Sequence, residues 1–184
     1  ARRESANARI DIDVRGDDGL TLVFNHLDIP DAQDPLGLTR TQAAEDPRQA
    51  VAVARQFNTR KSVGQDQMGA VYAWRPAPAH AITLSAHAGE REVEQFLALP
   101  VAAQANPLNS GGVIDLGNEY AGADLRWAWQ GEWAGRPAEW TMGADTARLR
   151  QHRRGYENHA GGALGVRGAL RRDERNRVEN VDQY

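Results

Sequence analysis

Cysteine is absent from this 184-residue chain. Disulfide frameworks, thiol catalysis and cysteine-type zinc sites are thereby excluded. No apolar run approaches the roughly 18 residues of a membrane-spanning helix, so helical insertion is excluded too. A membrane barrel is not, because its strands need only every second residue to be apolar. Charge of one sign is also lacking. The 22 Lys and Arg against 25 Asp and Glu leave a net charge of −3, too balanced to call for nucleic acid as a partner. The chain opens at Ala1 with no initiator Met, basic n-region or apolar h-region, as expected of a mature or excised segment. No Ser/His/Asp order, phosphate-binding glycine loop or strand-end carboxylate pair stands out, so neither an enzyme nor a resident cofactor is expected.

What the sequence does contain is alternation. Residues 6–15 place Ala6, Ala8, Ile10, Ile12 and Val14 on one face, and Asn7, Arg9, Asp11, Asp13 and Arg15 on the other. After the turn at Gly16-Asp17-Asp18-Gly19, Leu20, Leu22 and Phe24 resume the apolar face. A second hairpin runs Ser62–Arg75, a turn at Pro76–His80, then Ala81–Glu90. Its apolar set is Met68, Ala70, Tyr72 and Trp74, then Ile82, Leu84, Ala86 and Ala88. A third runs Tyr120–Gln130, a turn around Gly131–Pro137, then Ala138–Leu149, with Ala121, Ala123, Leu125, Trp127 and Trp129 facing Trp140, Met142 and Ala144. Strict two-residue alternation, with short turns at one end and long polar connections (28–61, 90–119 and 150–184) at the other, is the pattern of a transmembrane β-barrel. The expected fold is therefore all-β: an antiparallel barrel segment of about six strands, each about nine to eleven residues within the hydrocarbon. Short turns would face the periplasm and long loops the outside. Thr41–Gln56 is expected to form a short helix with Thr39 or Thr41 as N-cap.

Four tryptophans, Trp74, Trp127, Trp129 and Trp140, lie near the short turns on the apolar face. An interfacial girdle is expected of them, because an indole finds apolar and polar partners together at the membrane boundary. The opposite face is polar or small (Gly64, Gly69, Gly89, Gly122 and Gly143 among Asp, Arg, Thr and Gln). That suits a water-filled or plugged lumen better than the packed interior of a soluble barrel. The five histidines, His26, His80, His87, His152 and His159, show no spacing with carboxylates that suggests metal ligation. Asp173-Glu174 and the Asp31/Asp34 pair lack the ligand spacing of a calcium loop. No metal site is expected.

The connections carry a family resemblance. Segments 31–39 (DAQDPLGLT), 56–61 (QFNTRK), 99–104 (LPVAAQ), 111–115 (GGVID) and 153–158 (RRGYEN) resemble TonB-dependent outer-membrane receptors. The closest likeness is to the iron-complex and siderophore class that includes the pyrroloquinoline quinone receptors, and it extends to 171–174 (RRDE) and 180–184 (NVDQY). The resemblance implies a 22-stranded barrel around an N-terminal plug, set in the outer membrane of a Gram-negative bacterium. Its partners would be the lipid bilayer, a small-molecule ligand (a metal chelate or a quinone cofactor) and, through a plug absent from this chain, the TonB complex. The implied function is capture and energised import of that scarce solute, with this chain a mid-barrel segment. Guanidinium forks pair bidentately with carboxylates, so Arg60, Lys61, Arg153, Arg154 and Tyr156, in or beside the long loops, are the candidate ligand-binding residues. A soluble all-β module with long binding loops is the alternative.

Overall fold

The computed structural model describes residues 2–184 and is all-β. In chain order its elements are β1 (Arg2–Arg15), β2 (Asp18–Gln33), helices α1 (Arg40–Glu45) and α2 (Ala52–Gln56), β3 (Arg60–Ala77) and β4 (His80–Phe96). Helix α3 (Val101–Gln104), β5 (Val113–Trp133), β6 (Arg136–Tyr156), the short ribbon β7 (His159–Ala160) and β8 (Ala163–Leu164), and β9 (Leu170–Gln183) follow. The long strands form one antiparallel sheet in the order β1-β2-β3-β4-β5-β6-β9. The sheet does not close into a barrel.

Two expectations are corrected. The sheet has seven long strands, not about six, because much of 150–184 is strand. The strands also continue well past the nine to eleven residues expected: β5 and β6 have 21 residues each. The connections therefore contract to 34–59, 97–112 and 157–169. The single expected helix is two, separated at Asp46-Pro47; proline disfavours helical backbone in the residue before it. Thr39 is the N-cap, in a capping box with Gln42.

The third hairpin closes on a two-residue turn. Trp133 faces Arg136 across Ala134 (φ 54) and Gly135 (φ 73), the two left-handed positions of a type I′ hairpin. Prolines in the strands sit where no ladder bond is lost. Pro30 and Pro76 lie in register shifts, between Ile29 and Ala32 and between Trp74 and Ala77. On β6 the Gly143 N–H donates to Tyr184, away from β5. Pro137 has the same parity, so its missing N–H points to the side where β9 has already ended.

Register fixes the faces. Ile12, Leu20, Tyr72, Leu84, Leu125 and Ala144 are successive cross-strand partners, and Ile10, Leu22, Ala70, Ala86, Ala123 and Thr146 form the next row. A one-residue slip in any pair would break these rows, so the pattern along each strand and the pairing between strands agree. The opposite face is mostly polar or glycine, with one reassignment. Gly64 pairs Asp28 and Glu92 and lies on the face that carries the apolar rows. Over the polar face, aromatic rings cover glycines on neighbouring strands, an arrangement that fills the space a missing side chain leaves. Tyr120 lies against Gly89, His87 against Gly122 and Tyr184 against Gly143.

The packed core is small and sits at the loop end. Its buried apolar residues are Ala54, Phe57, Val63, Phe96 and Val113. Beside it, Gln104 and Asn158 form a buried polar lock. Asn158 Nδ2 donates to the carbonyls of Leu97 (2.7 Å) and Leu99 (3.1 Å), and its Oδ1 accepts from Gln104 Nε2 (2.6 Å). Gln104 Oε1 in turn accepts the N–H groups of Gly112 and Asn158. Elsewhere the sheet is a single layer. The accessible surface is 12460 Å², against about 8,800 Å² for a compact monomer of this mass.

Candidate functional site

Beyond its apolar rows, toward the loops, the same face turns charged. Row by row the partners become His26, Asp66, Glu90, Glu119, Arg150 and Arg177, then Asp28, Gly64, Glu92, Gly117, His152 and Arg175. The next row is Ser62, Glu94, Asp115, Arg154 and Asp173. Acids therefore gather on β2–β5 and, Asp173 apart, arginines on β6 and β9. Glu90 and Glu119 are direct partners, as are Glu94 and Asp115, and like charges placed so are destabilising unless matched.

A cavity of about 880 Å³ opens on this charged surface, between the acidic strands and Arg150, Arg154, Arg175 and Arg177. Its loop end is closed by Arg167, from the 157–169 connection. The Arg167 guanidinium reaches Glu94 (Nε, 3.1 Å) and Asp115 (3.1 Å), and stacks over the Tyr156 ring at 4.6 Å. Burial works against its charge. The Glu94 hydrogen bond, with the charges of Glu94 and Asp115, outweighs that and raises the Arg167 pKa above the ordinary guanidinium value. Asp115 is shared, since Arg154 also binds it at 3.1 Å. The Nε of Arg154 is buried with no partner, a donor left over at the cavity wall.

The residues singled out in sequence separate into two groups. Arg60, Arg154 and Tyr156 point to the cavity face; Lys61 and Arg153 lie in rows of the opposite face, among Gln95, Ile114 and Gly155 and among Val63, Val93 and Leu116. Arg153, Arg154 and Tyr156 belong to β6 rather than to a loop. Arg60 opens β3, where it stacks on Phe96 at 3.5 Å and donates to the carbonyls of Asn58 and Gly165. It stands three strands from Tyr156, roughly 14 Å at ordinary strand spacing. The five do not converge on one ligand.

Sequence reasoning passed over Arg167, Arg150, Arg175 and Arg177. The alternation places Arg150 on its face, but only register puts Arg177 beside it. Register also gives two histidines carboxylate partners from other strands. His26 Nδ1 lies 2.7 Å from Asp66, and His152 Nε2 lies 2.7 Å from Asp173. Among the described residues no group of three His, Asp or Glu is placed to hold a metal ion.

At the short-turn end, Trp74 and Trp127 share one row through Ile82, and Trp129 and Trp140 are direct partners in the next. Trp127 donates its indole N–H to His80 at 3.0 Å. Trp133 joins them, its ring 5.7 Å from that of Trp140. Trp74 and Trp140 keep 42% and 45% of their surface exposed. No protein-family model matches the chain.

Proposed function

We propose that this sheet is a lipid-facing segment of an outer-membrane β-barrel receptor that captures and imports a scarce solute. The observation that carries this reading is the uncovered apolar face. Met68, Leu84, Leu125 and Met142 lie within one block of four apolar rows and keep between 48% and 61% of their surface exposed. Soluble monomers rarely leave so continuous an apolar patch open. On β5 the belt runs from Ala121 to Trp129, nine residues, about the length a tilted strand needs to cross hydrocarbon. The tryptophan rows bound it at the turn end, where a membrane interface favours indoles. The charged rows bound it at the loop end. Strands this much longer than the belt would carry the loops well clear of the bilayer.

Import of a ferric siderophore or of pyrroloquinoline quinone, energised through TonB, is the specific activity that the sequence resemblance supports. Two measurements test the proposal. The parent protein is expected in the outer-membrane fraction, extracted only by detergent and migrating faster in gels before heating than after. Deletion of its gene is expected to abolish growth when one of the two solutes is limiting. A chain recovered folded and monodisperse from the aqueous fraction would refute the membrane reading; unimpaired growth on both solutes would refute the import reading.

A further inference from the structure

We infer that the polar face binds a solute with two or more carboxylates on an apolar body, at the loop end, over the Val93–Leu116 pair and between Lys61, Arg91 and Arg153. The site rests on the lipid-facing reading above. With the apolar rows against lipid, the large charged cavity on that same face lies outside the wall, and a solute passing through the barrel meets the other face. That face is charged unevenly along its length. Its last three paired rows at the loop end carry Lys61, Arg91, Arg153 and Arg172 against Glu174 alone. Two rows near the turns carry Asp11, Asp13, Asp124, Asp145 and Asp182 against Arg126. An anion is thus favoured where a solute arrives and opposed further in. Glu174 stands opposite Arg153, but its carboxylate is taken by Arg172 at 2.6 Å. Lys61, Arg91 and Arg153 form no ion pair among the described residues.

Register sets the three cations around an apolar floor. Ile29, Val63, Val93 and Leu116 are successive partners, and Arg153 is the next one after Leu116. Arg91 lies one row toward the turns on the strand of Val93, and Lys61 one row toward the loops on the strand of Val63. At about 4.8 Å between strands and 3.3 Å per residue, their Cα atoms are roughly 12–16 Å apart. Three long side chains close that span onto a small molecule at its centre. The forks of Arg91 and Arg153 suit carboxylates bidentately, with Lys61 as a point charge. Arg91 makes only a long hydrogen bond, 3.5 Å to Gln65, so its fork is spare. Asn118, its partner across the strands, accepts from Gln151 at 3.1 Å, which leaves the Asn118 N–H groups free to donate. The floor sets the second requirement. Val93 and Leu116 are half-buried; a hydrated inorganic anion gains nothing from them, whereas an apolar ring laid across them does.

The test uses the parent protein in detergent micelles, with binding read by isothermal titration calorimetry. Benzene-1,3,5-tricarboxylate is the probe, compared with benzoate, which has the ring and a single carboxylate, and with citrate, which has the carboxylates and no ring. The probe is expected to bind about tenfold more tightly than benzoate and about threefold more tightly than citrate. The double variant Arg91→Gln/Arg153→Gln is expected to weaken it about tenfold. Arg91→Lys/Arg153→Lys keeps the charge and loses the forks; it is expected to weaken binding by a smaller factor, and serves if the glutamine variant does not fold. Arg126→Gln/Arg148→Gln removes the same charge, from the turn end and from the opposite face, and should leave binding unchanged. Leu116→Ala should erase the advantage over citrate and leave citrate itself unaffected. No binding of the probe, equal binding by wild type and the Arg91/Arg153 glutamine variant, equal weakening by the Arg126/Arg148 variant, or tighter binding of citrate would each overturn the inference. Its failure is distinct from failure of the membrane reading: in the first case the parent protein still fractionates with the outer membrane, in the second it does not.

Discussion

Replacing Asn158 with alanine tests whether the loops are held to the sheet by the buried Gln104–Asn158 lock or merely rest on it. Asn158 is fully buried, and its side chain makes three hydrogen bonds, to Leu97, Leu99 and Gln104. Each such bond contributes about 1 kcal/mol net, and a buried partner left unpaired costs about 1–3 kcal/mol. Gln104 keeps its bond to the Leu99 carbonyl, which limits the damage, so the loss is expected to be about 3 kcal/mol. It should be local, because the lock joins the 97–112 and 157–169 connections rather than the strands. Hydrogen exchange followed by mass spectrometry reads this directly. The amides of Gly112 and Asn158, which donate to Gln104, should exchange about 100-fold faster, as 3 kcal/mol requires. Amides in the middle of β4 and β5 should not change. Unaltered exchange at Gly112, or uniform acceleration across the sheet, would refute the argument. Asn158→Asp adds a sign test. Its carboxylate would face two carbonyl oxygens in a buried site, which raises the folded-state pKa. The variant's deficit should therefore grow as pH rises through the unfolded value and shrink in acid.

Three other perturbations have definite outcomes. Arg167→Met removes the cation between Glu94 and Asp115, which are direct cross-strand partners, and frees the Tyr156 ring. Arg167 is 40% exposed at its side chain, so solvent screening limits the loss to about 1 kcal/mol; added salt should narrow the gap from wild type, and a gap that widens with salt would count against the pairing. Ala134→Asn places a residue tolerant of the left-handed region in the I′ turn at φ 54 and should stabilise the third hairpin by about 0.5–1 kcal/mol in denaturant titrations. Trp140→Ala in the parent protein reconstituted into vesicles should reduce tryptophan quenching by lipids brominated near the headgroup more than by lipids brominated mid-chain; the reverse order would move the tryptophan rows out of the interface.

The strands were legible because period-two alternation is strong evidence where one face is apolar and the other polar. Their extent was not. Above Ala121 on β5 the apolar face turns charged or small, as at Glu119, Gly117 and Asp115, and its hydrophobic periodicity ends there although backbone pairing continues. β9 was missed for the same reason: Arg171-Arg-Asp-Glu-Arg-Asn-Arg177 has no apolar member, and the ladder with β6 forms it. The candidate site suffered most from this. Choosing arginines by their nearness to loops selected Lys61 and Arg153, which face away, and passed over Arg167, whose role depends on Glu94, 73 positions earlier. The side chain's face is written in the strand, but its neighbour is written in the register.

The free edges of the sheet limit what this chain does alone in lipid. In β5 the polar-face residues turn their backbone groups toward β4, as Gln130 does in donating to Ala79. β1 runs in the same direction, so Asn7, Arg9, Asp11 and Asp13 turn theirs away from β2, where no strand follows. These residues lie at the depth of Ala6–Val14, within the apolar rows. Each unpaired N–H or C=O in hydrocarbon costs several kcal/mol, so this edge alone costs some tens of kcal/mol. β9 presents a second one. A single copy of the chain should therefore not insert as a pore. Added to planar bilayers, it should give no discrete conductance, whereas the same sheet within a closed barrel has both edges paired and the apolar face covered by lipid. A stable unitary conductance from a cross-link-verified single copy would mean that the edges find partners in some other way, and that the apolar face does not meet lipid in the geometry proposed.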